Sequence, residues 1–503
     1  MQRPRTAAAL AAFLVAATAL AAGCSSAGQD AGTRSTGPRA AGTGTGSVTG
    51  TGSVIGTGTS GGVAPLAQSW SGWKRCAAKE LAALTCGTLS VPLDRSAPAA
   101  DTAGDQAGTN GATAGRRLDL AVAAGGNLDA DRTVLFLTGG PGQPGVQFAP
   151  RILDEFAAVR DQYRIVLVDQ RGTGANALVC PLLQRQIGYA DLEVPSDQAV
   201  TECGAAIGAD AAHYGTTDTV ADLDDLRRAL GLKQWSIDGV SYGTYVAQRY
   251  AAAHPAAVDR LVLDSVVPVD AFSATNAESF PDVAAVLREV CSAEQCVGDP
   301  AADLSAAVAR YHLGPALLDV ISLMSVVQPT YPGLFAALAS AAAGQPAGLR
   351  SLVAQWQRNS AGPADQLSQG LHASTLCLDL TFPWGGADSA PATRARAADR
   401  AVARLSASAL FPFDEQTARG NGEMRTCELW PRVADPALGS LSLRGVRALL
   451  LHGSRDLSTP LAWAERAHLD LPGSRLVIVP GAGHSVQSRG PASVRAMVAD
   501  FLG

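Results

Sequence analysis

The stretch Trp235-Ser-Ile-Asp-Gly-Val-Ser241-Tyr-Gly-Thr-Tyr245 passes from an apolar run, residues 235–240, through Gly239-Val-Ser241-Tyr-Gly243 into an amphipathic segment, residues 244–253. A strand that turns at once into a helix crowds its own backbone, and glycines two places before and two places after Ser241 relieve that crowding. The turn would lift the Ser241 hydroxyl above a sheet edge. It would also set it at a helix N-terminus, where partial positive charge favours a developing anion. In a chain with 53 Gly the five-residue pattern alone arises easily, so its meaning comes from the strand before it and the helix after.

Working outward, the strand half of this unit recurs. Residues 133–138, 164–168, 260–264, 446–451 and 475–479 are near-continuous apolar runs, as a parallel sheet covered on both faces requires. Residues 89–93 and 117–123 read as paired edge strands joined by an Ala/Gly/Asp-rich excursion at 96–115. Between about 269 and 440 the strand pattern lapses into Ala/Leu-rich helical stretches such as 303–311 and 334–343. The expected fold class is therefore α/β, a mostly parallel sheet covered by helices, with a core at 69–268 and 441–503 and an inserted helical lid at 269–440.

A serine at its own pKa is a poor nucleophile. It needs a histidine to take its proton and an acid to orient that histidine. Asp456, in Gly453-Ser-Arg-Asp456-Leu457, and His484, in Gly481-Ala-Gly-His484-Ser485, each follow one of the last two strands. Ser241, Asp456 and His484 would thus gather at the carboxyl edge of the sheet, in the chain order that belongs to this elbow. His213, His254, His312, His372, His452 and His468 lack that setting, and Asp264 is the next candidate acid. The loop Thr138-Gly-Gly-Pro-Gly142 follows the strand at 133–138, where oxyanion donors are needed. The backbone N–H groups of Gly140 and Tyr242 are the expected donors, with Gly139 as the alternative to Gly140.

With these parts in place, the chain resembles the α/β-hydrolase peptidases of the proline iminopeptidase and secreted tripeptidyl aminopeptidase family. Thr138-Gly-Gly-Pro-Gly142 is similar to that family's His-Gly-Gly-Pro-Gly, and Val168-Asp-Gln-Arg-Gly-Thr-Gly174 to its Asp-Gln-Arg-Gly signature. Gly239-Val-Ser-Tyr-Gly-Thr-Tyr245 and Cys427-Glu-Leu-Trp-Pro431 look like the tripeptidyl branch. Thr138 departs from the family histidine, which bears on how the oxyanion loop is pinned. The resemblance implies an α/β-hydrolase fold and a buried structural pair of Asp169 with Arg171. It also implies release of tripeptides or single residues from free peptide amino termini, and such an enzyme needs a carboxylate to read the protonated amine. Glu278, Asp282, Asp379, Glu423 and Glu428 are candidates, of which Asp379 and Glu423 stand beside cysteines expected to pair.

Those cysteines also bear on location. Arg3 and Arg5 precede an apolar run at 7–22, too short for a hydrocarbon core of about 30 Å, which reads as an export signal over 1–23. Cleavage fits either the small-residue pattern Ala19-Leu-Ala21 or a lipobox-like site just before Cys24. Lipidation of Cys24 sets aside one of the nine cysteines and leaves an even number in an oxidising compartment. Short loops close most readily, so the expected disulfides are Cys76 with Cys86, Cys180 with Cys203, Cys291 with Cys296, and Cys377 with Cys427. Residues 24–68, poor in large apolar side chains, form an expected Gly/Ser/Thr linker.

Composition narrows the partners. A net charge of −6 with no basic run beyond the first residues argues against nucleic-acid binding. No cluster of His, Cys and Asp has metal-ligand spacing, so no metal and no organic cofactor is expected. The sequence reading is an exported serine aminopeptidase, lipid-anchored at the membrane face of the cell envelope or secreted, with peptide substrates. A carboxylesterase or lipase with the same triad and a non-catalytic anchored binding lipoprotein are the alternatives.

Overall fold

A computed structural model describes residues 69–96, 115–434 and 441–503. The expected signal, Cys24, the linker and nearly all of the excursion at 96–115 lie outside the described residues. Strands β1 (Lys74–Arg75), β2 (Thr85–Pro92), β3 (Arg117–Gly126), β4 (Arg132–Leu137), β5 (Tyr163–Val168), β6 (Trp235–Val240), β7 (Val258–Asp264), β8 (Arg447–Gly453) and β9 (Arg475–Val479) form one sheet in the order β1-β2-β3-β5-β4-β6-β7-β8-β9. β1 through β3 and the β3–β5 pair are antiparallel, and every pair from β5 to β9 is parallel.

The apolar runs are continuous because the sheet is buried on both faces. Leu135 and Leu137 of β4 pack into one core layer while Val134 and Phe136 of the same strand pack into the other. β8 divides in the same way, with Ala448 and Leu450 on one side and Leu449 and Leu451 on the other. β1 carries no such run, only two exposed basic residues, and is held by its ladder to β2.

β4 lies between β5 and β6, so the chain's winding reverses there. A crevice opens at the carboxyl ends of strands flanking such a reversal. The register pairs Leu137 of β4 with Gly239 of β6, which brings the loop after β4 level with the turn after β6.

Between β7 and β8 the chain is mainly helical, including Phe280–Ala293, Pro300–Tyr311, Gly314–Val327, Leu334–Ala342, Ala347–Asn359, Gln369–Asp379 and Gly422–Leu429. The helical cover also draws on residues assigned by sequence to the core. Helices Pro181–Ile187 and Asp197–Ile207, between β5 and β6, pack against Gln369–Asp379 and Gly422–Leu429 respectively. Their apolar faces, including Leu183, Ile187 and Val200, are buried, so they need partners beyond the sheet. Four disulfides join Cys76 to Cys86, Cys180 to Cys203, Cys291 to Cys296 and Cys377 to Cys427. Among the described residues no helix is long and apolar enough to cross a membrane.

Candidate active site

Ser241 stands between β6 and the helix Tyr242–Ala253 with φ 57° and ψ −127°, a conformation non-glycine residues rarely adopt. Its neighbours permit that turn. A Cβ on Gly239 would sit 2.5 Å from the carbonyl oxygen of Gly243, and one on Gly243 would sit 2.3 Å from that of Leu137. The strain is held by hydrogen bonds: Ser241 N–H donates to the Asp264 carbonyl (2.9 Å), and the Thr244 hydroxyl donates to the Ser241 carbonyl (2.6 Å).

The loop after β4 lies against this serine, since a Cβ on Gly139 would come within 2.8 Å of Ser241 Cβ. Gly140, Ser241 and Tyr242 line one cavity. Thr138, which replaces the family's histidine, pins the loop through its hydroxyl, which donates to the Gln143 carbonyl at 2.9 Å. Asp169 holds the far end by accepting from the N–H groups of Gly145 (2.9 Å) and Val146 (2.8 Å).

Asp169 and Arg171 are therefore not partners of each other, which corrects the expected pair. Fully buried Arg171 instead places Nε and Nη2 on the two carboxylate oxygens of Asp222, each at 2.7 Å, and Nη1 on the carbonyls of Leu93 and His213. The Asp169 carboxylate is taken up by the loop's N–H groups, and a buried guanidinium with five N–H donors needs more acceptors than one carboxylate offers.

Past β8 and β9, His484 Nδ1 lies 2.9 Å from Asp456 Oδ2. Asp456 also accepts from the N–H groups of Ser458 and Thr459, both at 3.0 Å, and from the Thr459 hydroxyl at 2.8 Å. Burial alone would raise the Asp456 carboxyl. The adjacent His484 and these hydrogen bonds outweigh it and hold the carboxyl well below the usual range. For His484 burial acts downward, but the Asp456 charge and hydrogen bond win and raise it. The pair is thus an acid fixed as its anion beside a histidine whose Nδ1–H donates to it, leaving Nε2 as the basic nitrogen.

Asp264, the alternative acid, is used elsewhere: its carboxylate accepts from the N–H groups of Val486 (2.9 Å) and Gln487 (2.8 Å) and so fixes the turn that carries His484. The helical insert grips the same loops through Ser325. Its hydroxyl accepts from Leu457 N–H at 3.0 Å, and its carbonyl accepts from His484 N–H at 3.4 Å.

The cavity above Ser241 spans about 570 Å³, part of it open to solvent. Val267, Phe272, Leu318 and Trp463 give it apolar walls, while Asp191, His372 and Glu423 line it as well. Glu423 is buried and accepts from Asn276 Nδ2 at 2.7 Å. Burial pushes its carboxyl up to about 8; the Asn276 hydrogen bond opposes this and the nearby Asp191 charge adds to it. His372 Nδ1 lies 3.1 Å from the Pro141 carbonyl, which can only accept, so Nδ1 carries the hydrogen. Its Nε2 is buried without a hydrogen-bond partner among the described residues and lies 4.0 Å from Asp191 Oδ1.

Of the two carboxylates singled out from sequence, Asp379 does not face this cavity, and its expected role is corrected. It is buried beneath the elbow, where it accepts from the Tyr242 hydroxyl (2.7 Å) and from Thr216 N–H (3.1 Å). Glu278 accepts from Trp463 Nε1, Asp282 from Ala462 N–H, and Glu428 pairs with Arg419. Asp191 and His372 were missed: the first sits in an unpatterned loop, and the second in a helix with nothing around it in sequence to mark a site.

The profile of the alpha/beta hydrolase fold family matches residues 132–491. Tripeptidyl aminopeptidase of Streptomyces lividans is 27% identical over 461 residues, covering 82% of this chain and 80% of that protein. Serine protease Hip1 of Mycobacterium tuberculosis is 28% identical over 250 residues, 45% of each chain. Proline iminopeptidase of Xylella fastidiosa is 33% identical over 135 residues, 27% of this chain and 32% of that one. With its elbow, its Asp–His pair and a family match across most of its length, the chain belongs to the alpha/beta hydrolase fold family and is a serine hydrolase.

Proposed function

We propose that this protein is an exported serine aminopeptidase that releases short units from the free amino termini of peptides. Ser241 Oγ attacks the scissile carbonyl carbon while His484 Nε2 takes its proton, and Asp456 orients and stabilises the imidazolium. The N–H groups of Gly140 and Tyr242 receive the oxyanion. His484 then returns the proton to the departing amine, and water repeats the sequence on the acyl-enzyme. The helical insert over residues 269–440 acts as the lid that encloses the acyl side of the cleft.

The observation that carries the aminopeptidase reading is the group of acceptors in the cavity above Ser241. Glu423, Asp191 and the Nε2 of His372 match the three N–H donors of a peptide's terminal ammonium, in a place where an ester's alkyl chain would make no use of them. The similarity to tripeptidyl aminopeptidase supports it. Four disulfides fit an oxidising compartment and so support export, with Cys24 as the lipid anchor.

The test compares a tripeptidyl nitroanilide, its N-acetylated form and a short-chain nitrophenyl ester, with Ser241→Ala as blank. Turnover confined to the free-amine peptide is the expected result. An ester turned over faster, with acetylation of the peptide immaterial, would make the protein an esterase. Mass spectrometry of the mature amino terminus tests the acyl group on Cys24.

A further inference from the structure

A second chamber, spanning about 330 Å³ of which part is open to solvent, shares Asp191, His372, Leu376 and Glu423 as lining with the cavity above Ser241. Its further walls include the apolar Leu183, Ile187, Ala373 and half-cystine Cys427, and the polar Glu193, Gln369 and Thr426. The apolar ones come from three helices, Pro181–Ile187, Gln369–Asp379 and Gly422–Leu429.

We propose that this chamber is a subsite for the side chain of the substrate's first residue, and that it selects an aliphatic side chain of about leucine size. The inference rests on the aminopeptidase reading. With the terminal ammonium held by Glu423, Asp191 and His372, the side chain branches from the adjoining α-carbon, two bonds from the nitrogen, and the neighbouring space is this chamber.

The wall chemistry decides the class of side chain. Of the polar groups around the chamber, Asp191, His372 and Glu423 serve the ammonium, and Glu193 and Gln369 are engaged with the protein. Glu193 Oε2 accepts from Gln357 Nε2 at 2.8 Å, Gln369 Nε2 donates to the Gly188 and Ala190 carbonyls, and Glu423 accepts from Asn276. What remains exposed to an occupant is chiefly the hydrocarbon of Leu183, Ile187, Ala373 and Leu376, which rewards an apolar guest and gives no fresh partner to a polar one.

The chamber is also braced. The Cys377–Cys427 bridge ties two of its helices together, and Cys180–Cys203 ties the start of the third to the helix Asp197–Ile207. A site held by covalent crosslinks loses little freedom on binding, so size discrimination should be sharp.

The experiment measures kcat/KM of the full mature protein on X-Ala-Ala-nitroanilides with X as Gly, Ala, Leu, Phe, Glu and Lys. Leu is expected to exceed Gly by about tenfold or more, as aliphatic groups do in preformed apolar pockets. Ala373→Leu, which fills the chamber, should bring the Leu/Gly ratio toward one, and Leu183→Ala, which enlarges it, should move the optimum to Phe. These ratios are internal to each variant and are unaffected by how much of it folds. If neither variant folds, the wild-type series still decides. A flat series, or a preference for Lys or Glu, with free-amine dependence intact overturns the subsite alone. Equal turnover of N-acetylated peptides overturns the aminopeptidase reading beneath it.

Discussion

Glu423→Gln is the substitution that most directly tests how the amine is read. The change keeps the shape and keeps an acceptor for Asn276 Nδ2, so it removes charge and little else. A carboxylate and an ammonium about 4 Å apart in an effective dielectric of about 20 attract by about 4 kcal/mol. Glu423 titrates at about 8 in the empty site, so at pH 7 it must first be ionised, which costs about 1.4 kcal/mol, whereas at pH 8 the cost is about 0.4 kcal/mol. The net loss on substitution is then about 2.6 kcal/mol at pH 7, about 80-fold in kcat/KM, and about 3.6 kcal/mol at pH 8, about 400-fold. The sign follows from the direction of the shift: a carboxyl raised by burial gains its useful charge as pH rises, so the wild-type advantage must grow with pH. The substrate's own amine also titrates near 8, but it does so for both enzymes and cancels in the ratio. The assay is kcat/KM on a free-amine tripeptidyl nitroanilide from pH 6.5 to 8.5 for both proteins, with melting curves to confirm folding. A ratio that stays below about threefold and flat across that range would refute the reasoning, as would an equal loss on the N-acetylated substrate.

Four other outcomes follow from the same geometry. His484 must be neutral to accept the serine proton and is raised above its ordinary value by Asp456, so kcat/KM should fall with decreasing pH around a midpoint above 6.5. Asp456→Asn should lower that midpoint as well as cutting kcat by about 10⁴, and a midpoint unmoved by the substitution would separate the two residues. Arg171→Met leaves buried Asp222 with only its ion pair to Arg95 and the Leu93 and His213 carbonyls without their donor, and should lower the denaturant midpoint; normal melting with lost turnover would contradict a structural role. Asp264→Asn weakens the grip on the Val486 and Gln487 N–H groups, so kcat should drop about tenfold with KM little changed, and a rise confined to KM would contradict its place behind His484.

The parts that could be read from sequence are those whose chemistry is local. The elbow is legible because two backbone clashes, at Gly239 and Gly243, must be relieved within five residues. The parallel strands are legible because burial on both faces forces unbroken apolar runs. Their ends are less so: β7 begins at Val258 and β8 runs on to Gly453, where backbone ladders continue past the apolar residues. β1 leaves no apolar trace at all.

The proposed amine site is different in kind, because no local rule connects its members. Asp191 comes from the connection between β5 and β6, while His372 and Glu423 come from two helices of the insert, and only the packing of those helices brings them to one cavity. Proximity to paired cysteines predicted Asp379 as well as Glu423, and the bridge does join their helices. Yet Asp379 lies two turns beyond His372 on the same helix, about 10 Å along its axis, so the residue that reaches the cavity and the one that supports Tyr242 serve different ends of one element. A disulfide fixes which helices meet. The rise along each helix decides which side chains share a pocket, and it placed a histidine with no sequence context, rather than the aspartate beside the cysteine, in the same cavity as Glu423.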